Sequence, residues 1–352
     1  MTPRIDPQPD FARFRDVLEL SQAVKRPPLF DFHIHADQMS RVLGRPVESA
    51  RDKIAFYRQA GYDYVQVTLA VPREELAQAR RKAREEAGAA THGSALAVID
   101  SLEQFRGRRW SWQAAVDGGY VAMADQFEHL CQVADALPEG MRILLHGADI
   151  FTSAWEMIGF TRFCLASHEE PQWVEAVMES LATAVLGAAE RAVERVGDAV
   201  GATLYSDDIA YTHGLMLSPD FFRQHLFLAM RRWAEIGHRV GAPMIYHSDG
   251  RLYQVLDDLA ELGVRGVQPL EPKSMDPLEI KQRWPNRFCL VGNIDLDLLA
   301  RGTPEQVERH VRERIDRLNV GGAYMPGVSN TVPDYVRFEN YIRMIETVYS
   351  YG

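Results

Sequence analysis

Apolar and polar positions along this chain repeat with two periods that take turns. Short apolar runs lie at 29–35, 63–69, 141–145, 202–205, 243–246, 266–269, 287–291 and 322–325. Most are bounded by proline, glycine or charge, as buried strands are. Longer stretches of helical character fall between them, at 11–24, 47–60, 120–136, 155–166, 172–196, 218–239, 252–261, 303–318 and 338–349. In the first of these, Phe11, Phe14, Val17 and Leu18 share one helical face. Pro27-Pro28 stops it, while Ser218-Pro219 and Thr303-Pro304 each supply an N-cap with proline at the first helical position. About eight strands, each followed by helix, predict an α/β protein built as a single (β/α)8 TIM-type barrel. On this reading residues 1–10 form an N-terminal arm and 11–352 the barrel. No Gly-x-Gly-x-x-Gly or phosphate-loop motif supports an open nucleotide-binding sheet instead.

The rhythm breaks once, after the second strand. Residues 73–86 are highly charged and helical in propensity, and 91–112 have loop character interrupted by aromatics. The stretch 73–118 is therefore read as an insertion, either a lid over the barrel mouth or a solvated surface excursion.

Charge and composition narrow the partners. A net charge of −10 and a pI near 5.6 argue against nucleic acid. Three cysteines, Cys131, Cys164 and Cys289, stand far apart with no Cys-x-x-Cys pair, which indicates neither a disulfide framework nor a thiolate zinc site. No apolar run reaches the roughly 20 residues of a membrane span, and the polar, proline-rich start is no signal peptide. A cytoplasmic enzyme acting on a small molecule, with no membrane or nucleic-acid partner and with an oligomer left open, is the expectation.

In such a barrel the residues that follow each strand gather at one mouth. Here they are Asp31, His33 and His35; Thr68; His146; Asp207 and Asp208; His247 and Asp249; Glu271; Asn293 and Asp295; Ser329 and Asn330. His247-Ser248-Asp249-Gly250, directly after the run 243–246, concentrates the chemistry. His247 and Asp249 lie two apart, so continued strand geometry turns both to one side, where they can share a metal or divide acid and base roles. Plainer roles stand beside these: His146 as a structural hydrogen-bonder, and Asp207-Asp208 as a cap for the next segment. His213, His225, His238 and His310 fall in or beside helices and read as surface residues.

Two resemblances bear on this mouth. Asp31-Phe32-His33-Ile34-His35 resembles the His-x-His strand of amidohydrolase-type metal-dependent hydrolases, which implies a metal on His33 and His35 with His146 and His247 in later parts. Those enzymes also place an aspartate after the last strand, where this chain reads Pro326-Gly327-Val328-Ser329-Asn330.

The second resemblance runs from about residue 10 to the end. His247-Ser248-Asp249-Gly250, Gln268-Pro269-Leu270-Glu271-Pro272, Gly292-Asn293-Ile294-Asp295, Gly302-Thr303-Pro304-Glu305 and Ser329-Asn330 with Glu339-Asn340-Tyr341 resemble, in order and spacing, the uroporphyrinogen decarboxylase superfamily. That family shares the barrel. True decarboxylases carry an Arg-Gln-Ala-Gly-Arg segment after the first strand, where this chain has Asp31 to His35 and no arginine before Arg41. They also end the second strand in an aspartate, where Val67-Thr68-Leu69 offers none. A porphyrinogen, rich in carboxylates, would find few cationic partners here.

The resemblance is closer to the corrinoid-dependent methyltransferase branch. Its thiol-methylating members bind zinc through His-x-Cys and a later cysteine; here His247 matches the histidine, Asp249 replaces the first cysteine and Ser329 lies near the second. The resemblance thus implies an oxygen/nitrogen zinc site, with metal ligands drawn from His247, Glu271, His33, Asp31 and His35 and with Asp249. Asp207, Asp208 and Asp249 are the expected catalytic carboxylates, and His146, Asn293, Asp295, Ser329 and Asn330 the expected substrate contacts. Hard ligands suit a metal that polarises an ether or alcohol oxygen. The expected reaction is metal-assisted methyl transfer from a small, methoxylated substrate to cobalamin carried on a separate corrinoid protein. The alternatives are the hydrolase using His33 and His35, and a barrel that binds a small ligand without catalysis.

Overall fold

The computed structural model describes residues 2–21, 24–87 and 98–351. Seven parallel strands form one sheet: β1 (Tyr64–Thr68), β2 (Arg142–Ala148), β3 (Val200–Ser206), β6 (Met244–His247), β7 (Val264–Gln268), β8 (Cys289–Ile294) and β9 (Tyr324–Val328), hydrogen-bonded in that order. Between β3 and β6 a short antiparallel hairpin, β4 (Ala210–Tyr211) and β5 (Gly214–Leu215), stands apart from the sheet. The sheet strands are almost wholly buried, which parallel strands flanked by helices must be. The α/β class and a curled, TIM-type sheet follow. Among the described residues, no helix is long and apolar enough to cross a membrane.

The first expected strand, 29–35, makes only an isolated parallel bridge, Ile34 to Val332. Side chains do there what a ladder does elsewhere. Phe30 N donates to Pro326 O at 3.0 Å, but the next strand amide, Val328 N, donates to the Asp31 carboxylate at 2.8 Å. On the other flank the Tyr64 hydroxyl accepts from Asp31 N at 2.9 Å and donates to Asp31 O at 2.8 Å. The segment is thus joined to β9 on one side and to β1 on the other. Gly327 allows the approach, because a Cβ there would lie 1.5 Å from Phe30 O.

Helices differ from expectation mainly at their ends. The expected helix 155–166 is two, Ile150–Ile158 and Phe160–Glu169, broken at Gly159 with φ +85. Ala36–Leu43 is an additional helix whose N-cap is His35, a residue that gives no start signal in sequence. Ala50–Gln59 starts with a Ser49/Asp52 capping box, and Leu256–Glu261 begins later than 252. Within 73–118, Glu74–Ala87, Leu102–Arg106 and Ser111–Asp117 are helical, and 88–97 lie outside the described residues. Trp110 and Trp112 are fully buried and stacked at 5.2 Å, and Trp112 Nε1 donates to Ser180 Oγ on Pro171–Val196. This part packs into the outer helical layer.

Candidate metal centre at the barrel mouth

His247 ends β6 between Ser206 of β3 and Gln268 of β7, its partners in register. Its side chain is only 6% exposed, so each ring nitrogen needs a partner or a ligand. Nδ1 meets Gln268 Oε1 in a short hydrogen bond. An amide oxygen can only accept, so Nδ1 is the donor in this bond and Nε2 is the ring nitrogen turned to the site. Phe32 stacks on the imidazole at 3.8 Å and fixes its plane.

Nε2 lies 3.9 Å from Asp208 Oδ1 and 3.9 Å from Asp249 Oδ1. The strand stops at His247, yet the following turn still brings Asp249 to the same point. Two contacts hold it: Asp249 N donates to Asp208 Oδ1 at 2.8 Å, and Asn330 Nδ2 donates to both Asp249 oxygens at 2.9 Å. Gly250, at φ +87, turns the chain beneath the hairpin, where a Cβ would meet Tyr211 N at 2.5 Å. Glu271 takes the Gly250 N–H at 2.9 Å and so anchors the turn from below. Burial pushes the Asp249 carboxyl up to about 6; His247 opposes the shift, Asp208 and Glu271 reinforce it, and Asn330 opposes it.

Among the described residues, Asp208, His247 and Asp249 form the group able to offer three metal-ligating atoms at one place, all within 4.8 Å of one another. Their donors are one imidazole nitrogen and carboxylate oxygens, a set that suits zinc or another divalent cation with positions left for substrate. The partners behind the ligands, Gln268 and Asn330, orient them as the outer shell of a metal site does. Asp149 adds negative charge at the same mouth: it is sensed by the Asp207 carboxyl and itself senses Asp208 and His247, with Arg73 as its main counter-charge. Carboxylates here outnumber cations, an imbalance that a bound cation relieves.

His146 stands beside this group on β2. Nδ1 lies 3.0 Å from Thr68 Oγ1 and Nε2 2.9 Å from Ser206 Oγ, and the ring meets the edge of Phe32 at 5.2 Å. Burial, then His247, His33 and Lys53, push its pKa down to about 3. It is a neutral ring with both nitrogens engaged.

The other expected site residues separate by what already occupies them. Asp207 turns away from its neighbour: fully buried, it accepts Phe151 N at 2.8 Å, Thr152 N at 2.8 Å and Thr152 Oγ1 at 2.9 Å. Burial and Asp149 push its carboxyl up to about 7. Asp31 is likewise buried, bonded to Val328 N and Tyr62, and raised to about 7 by burial. His33 is exposed, and His35 Nδ1 accepts Asp37 N at 3.3 Å to cap a helix. Alternation explains both: in 32–35 it is Phe32 that turns to His247, so His33 and His35 face elsewhere. Asn293 Nδ2 donates to Leu270 O at 2.6 Å, Asp295 caps Leu296–Arg301, and Ser329 Oγ accepts Leu296 N at 3.3 Å. His310, read as a surface residue, accepts the Asp295 N–H at 3.4 Å. Asn330 alone of the expected substrate contacts hydrogen-bonds to the candidate metal group, at Asp249.

Phe32, Gln268 and Asp149 were not legible as site residues. Phe32 had a signal, since it occupies the alternate face between two histidines. Gln268 needed the register of β6 against β7. Asp149 follows Ala148 at φ +125 and itself adopts φ +60, an uncommon backbone at a strand end that no residue type announces.

No curated protein sequence matches this chain. Over 97% of its length the structure resembles 98% of a methyltransferase from Methanosarcina mazei, with TM-score 0.66 at 17% identity, a likeness of fold. A DUF72 family protein from Enterococcus faecalis V583 overlaps 62% of this chain and 82% of its own at TM-score 0.35 and 14% identity, too slight to carry an argument. The sequence profile described as Uroporphyrinogen decarboxylase (URO-D) matches residues 128–351, which hold β2 to β9 and Asp208, His247 and Asp249. The chain belongs to the uroporphyrinogen decarboxylase family.

Proposed function

We propose that this protein is a methyltransferase of the corrinoid-dependent branch, moving a methyl group from a small methylated compound to cobalamin on a separate protein. The observation that carries the reading is the convergence of His247 Nε2 with Asp208 and Asp249 at the mouth of a barrel that lacks the arginine-bearing first-strand segment of true decarboxylases. The likeness in fold to the Methanosarcina mazei methyltransferase supports it.

Asp208, His247 and Asp249 would hold zinc. Zinc bound there supplies Lewis acidity toward the heteroatom that loses its methyl group. Gln268 holds Nδ1 so that Nε2 faces the site, Asn330 aims the Asp249 carboxylate, and Phe32 covers the imidazole face and excludes water from it. In the transfer the methyl–heteroatom bond would break as the methyl group passes to the electron pair of the reduced corrinoid acceptor; the heteroatom would keep its own bonding pair and take a proton from solvent. Asp208, the most exposed of the three would-be ligands, lines the open side of the site; Asp207 is committed to the backbone of Ile150–Ile158.

The test is an assay with zinc-loaded protein, reduced cobalamin and a panel of methoxylated and N-methylated small compounds, following methylcobalamin by absorbance. Methylcobalamin formation that is lost in His247→Ala supports the reading. Substrate cleavage that proceeds without any corrinoid would replace it with hydrolysis. Ligand binding with no turnover of any kind would replace it with a non-catalytic binding barrel.

A further inference from the structure

Four residues beside the candidate metal group form one hydrogen-bonded chain. It starts at Thr68, the exposed end of β1, and crosses β2 at His146 and β3 at Ser206 to reach Asp149. The links are Thr68 Oγ1 to His146 Nδ1 at 3.0 Å, His146 Nε2 to Ser206 Oγ at 2.9 Å, and Ser206 Oγ to Asp149 Oδ1 at 3.4 Å. A backbone bond, Asp149 N to Ser206 O at 2.8 Å, ties the last pair together. Ser206 pairs in register with His247, so the chain runs within one strand spacing, about 4.8 Å, of the His247 backbone. Its direction follows from the terminal carboxylate. Ser206 owns a single hydroxyl proton and donates it to Asp149, so it accepts from His146 Nε2. The neutral ring then has a bare Nδ1, which accepts from the Thr68 hydroxyl. Gln66 Nε2, an amide donor 3.4 Å from Nδ1, agrees. Every donor thus points from the exposed end toward Asp149. Both hydroxyls can also turn to serve the opposite tautomer, so His146 can exchange one tautomer for the other without losing a hydrogen bond. Proton transfer through an imidazole requires that freedom.

Resting on the methyl-transfer reading, we propose that Thr68, His146 and Ser206 form a proton path from solvent, and that Asp149 is the acid that protonates the heteroatom as its methyl group leaves. A proton enters from solvent at Thr68 Oγ1 while the Thr68 hydroxyl proton passes to His146 Nδ1. Nε2 gives its proton to Ser206 Oγ, whose own proton passes to Asp149 Oδ1. Asp149 hands it to the heteroatom, which bonds it with the pair kept from the broken methyl bond, and Asp149 is a carboxylate again. One proton has moved from solvent to product, no residue is oxidised or reduced, and the ring is left in its other tautomer. Burial raises the Asp149 carboxyl above its ordinary value, which suits it to hold a proton until the heteroatom takes it.

Ring-nitrogen NMR on the zinc-loaded full chain, labelled with nitrogen-15 histidine, tests the path without any substrate. The His146 signals are identified by their loss in His146→Gln. The wild type should carry a proton on Nε2 and none on Nδ1. Thr68→Val, which removes only the hydroxyl of an exposed side chain, should slow exchange of that proton with water about 10-fold, the scale of one lost hydrogen bond. Thr68→Ser should restore it. A proton on Nδ1 instead, or on both nitrogens, would overturn the path, and so would exchange that Thr68→Val leaves unchanged. Turnover is then followed with 2-methoxyethanol, methoxybenzene and trimethylamine as methyl donors and reduced cobalamin as acceptor. Thr68→Val should lower kcat for methylcobalamin about 10- to 100-fold, with KM and zinc content unaltered. An unaltered kcat would overturn the role of the path in the reaction while leaving methyl transfer standing. Exchange that depends on Thr68 in a wild type that makes no methylcobalamin would uphold the path and remove the methyltransferase reading.

Discussion

Asp31→Asn should stabilise the protein modestly at pH 5 and considerably more at pH 8. Asp31 is fully buried where segment 29–35 meets β9, and burial raises its carboxyl from 3.8 to about 7 against opposing bonds from Tyr62 and Val328. A carboxyl whose folded pKa lies above its unfolded one favours the fold while protonated. That contribution is complete below the unfolded value and is lost as pH rises through the folded one. With an unfolded value near 3.9 and a folded value of about 7, raising pH from 5 to 8 removes about 3 kcal/mol, an order-of-magnitude figure. Asparagine matches the protonated acid: its oxygen can keep the Val328 N–H, and its NH2 can donate to the Tyr62 hydroxyl, which also pairs with Tyr341. Urea unfolding of both proteins at pH 5, 6, 7 and 8 reads the gap directly. Asp207, raised to about 7 as well, titrates in both proteins and cancels from the difference. A gap that stays constant with pH would refute the reasoning. A wild type that gains on the variant as pH rises would mean that the Asp31 anion has a cation beside it, as a metal-bound carboxylate has.

Other perturbations separate structural from chemical roles. Gly327→Ala pushes a methyl group into Phe30 O and should cost about 3 kcal/mol or more, seen as a lowered Tm; an unchanged Tm would mean that the first segment does not close on β9 as described. Asp207→Ala leaves the buried amides of Phe151 and Thr152 unpaired and should cost about 2–4 kcal/mol while sparing metal content. Asp208→Ala should do the reverse, and equal effects of the two would contradict their separation. Gln268→Leu should weaken zinc binding about 10- to 100-fold by releasing the His247 tautomer; unaltered affinity would show that Nδ1 is not what orients the ring.

Strand and helix alternation made most of the fold legible, because buried parallel strands and capped helices leave strong local signals. Where side chains replaced backbone pairing, as at Asp31 and Tyr64, the segment still read as a strand although no ladder forms. At the site, His247 with Asp249 could be read from spacing at a strand end, and Asp208 from its place after β3. Its separation from Asp207 could not, because two adjacent aspartates look alike until one is seen bonded to Ile150–Ile158. The pull of His33 and His35 as ligands came from their resemblance to a His-x-His metal-binding strand; in the structure the alternate residue, Phe32, lies on His247. Asn293, Asp295 and Ser329 sit where the motif puts them but spend their polar atoms on the chain itself.

The most direct test of the central claim is metal content by elemental analysis. Tag-free wild type, His247→Ala, Asp249→Ala and His33→Ala would each be loaded with zinc and dialysed. The account predicts about one zinc per chain in the wild type and in His33→Ala, and almost none in the other two. Zinc retained without His247 but lost without His33, or no zinc in any of the four, would contradict it.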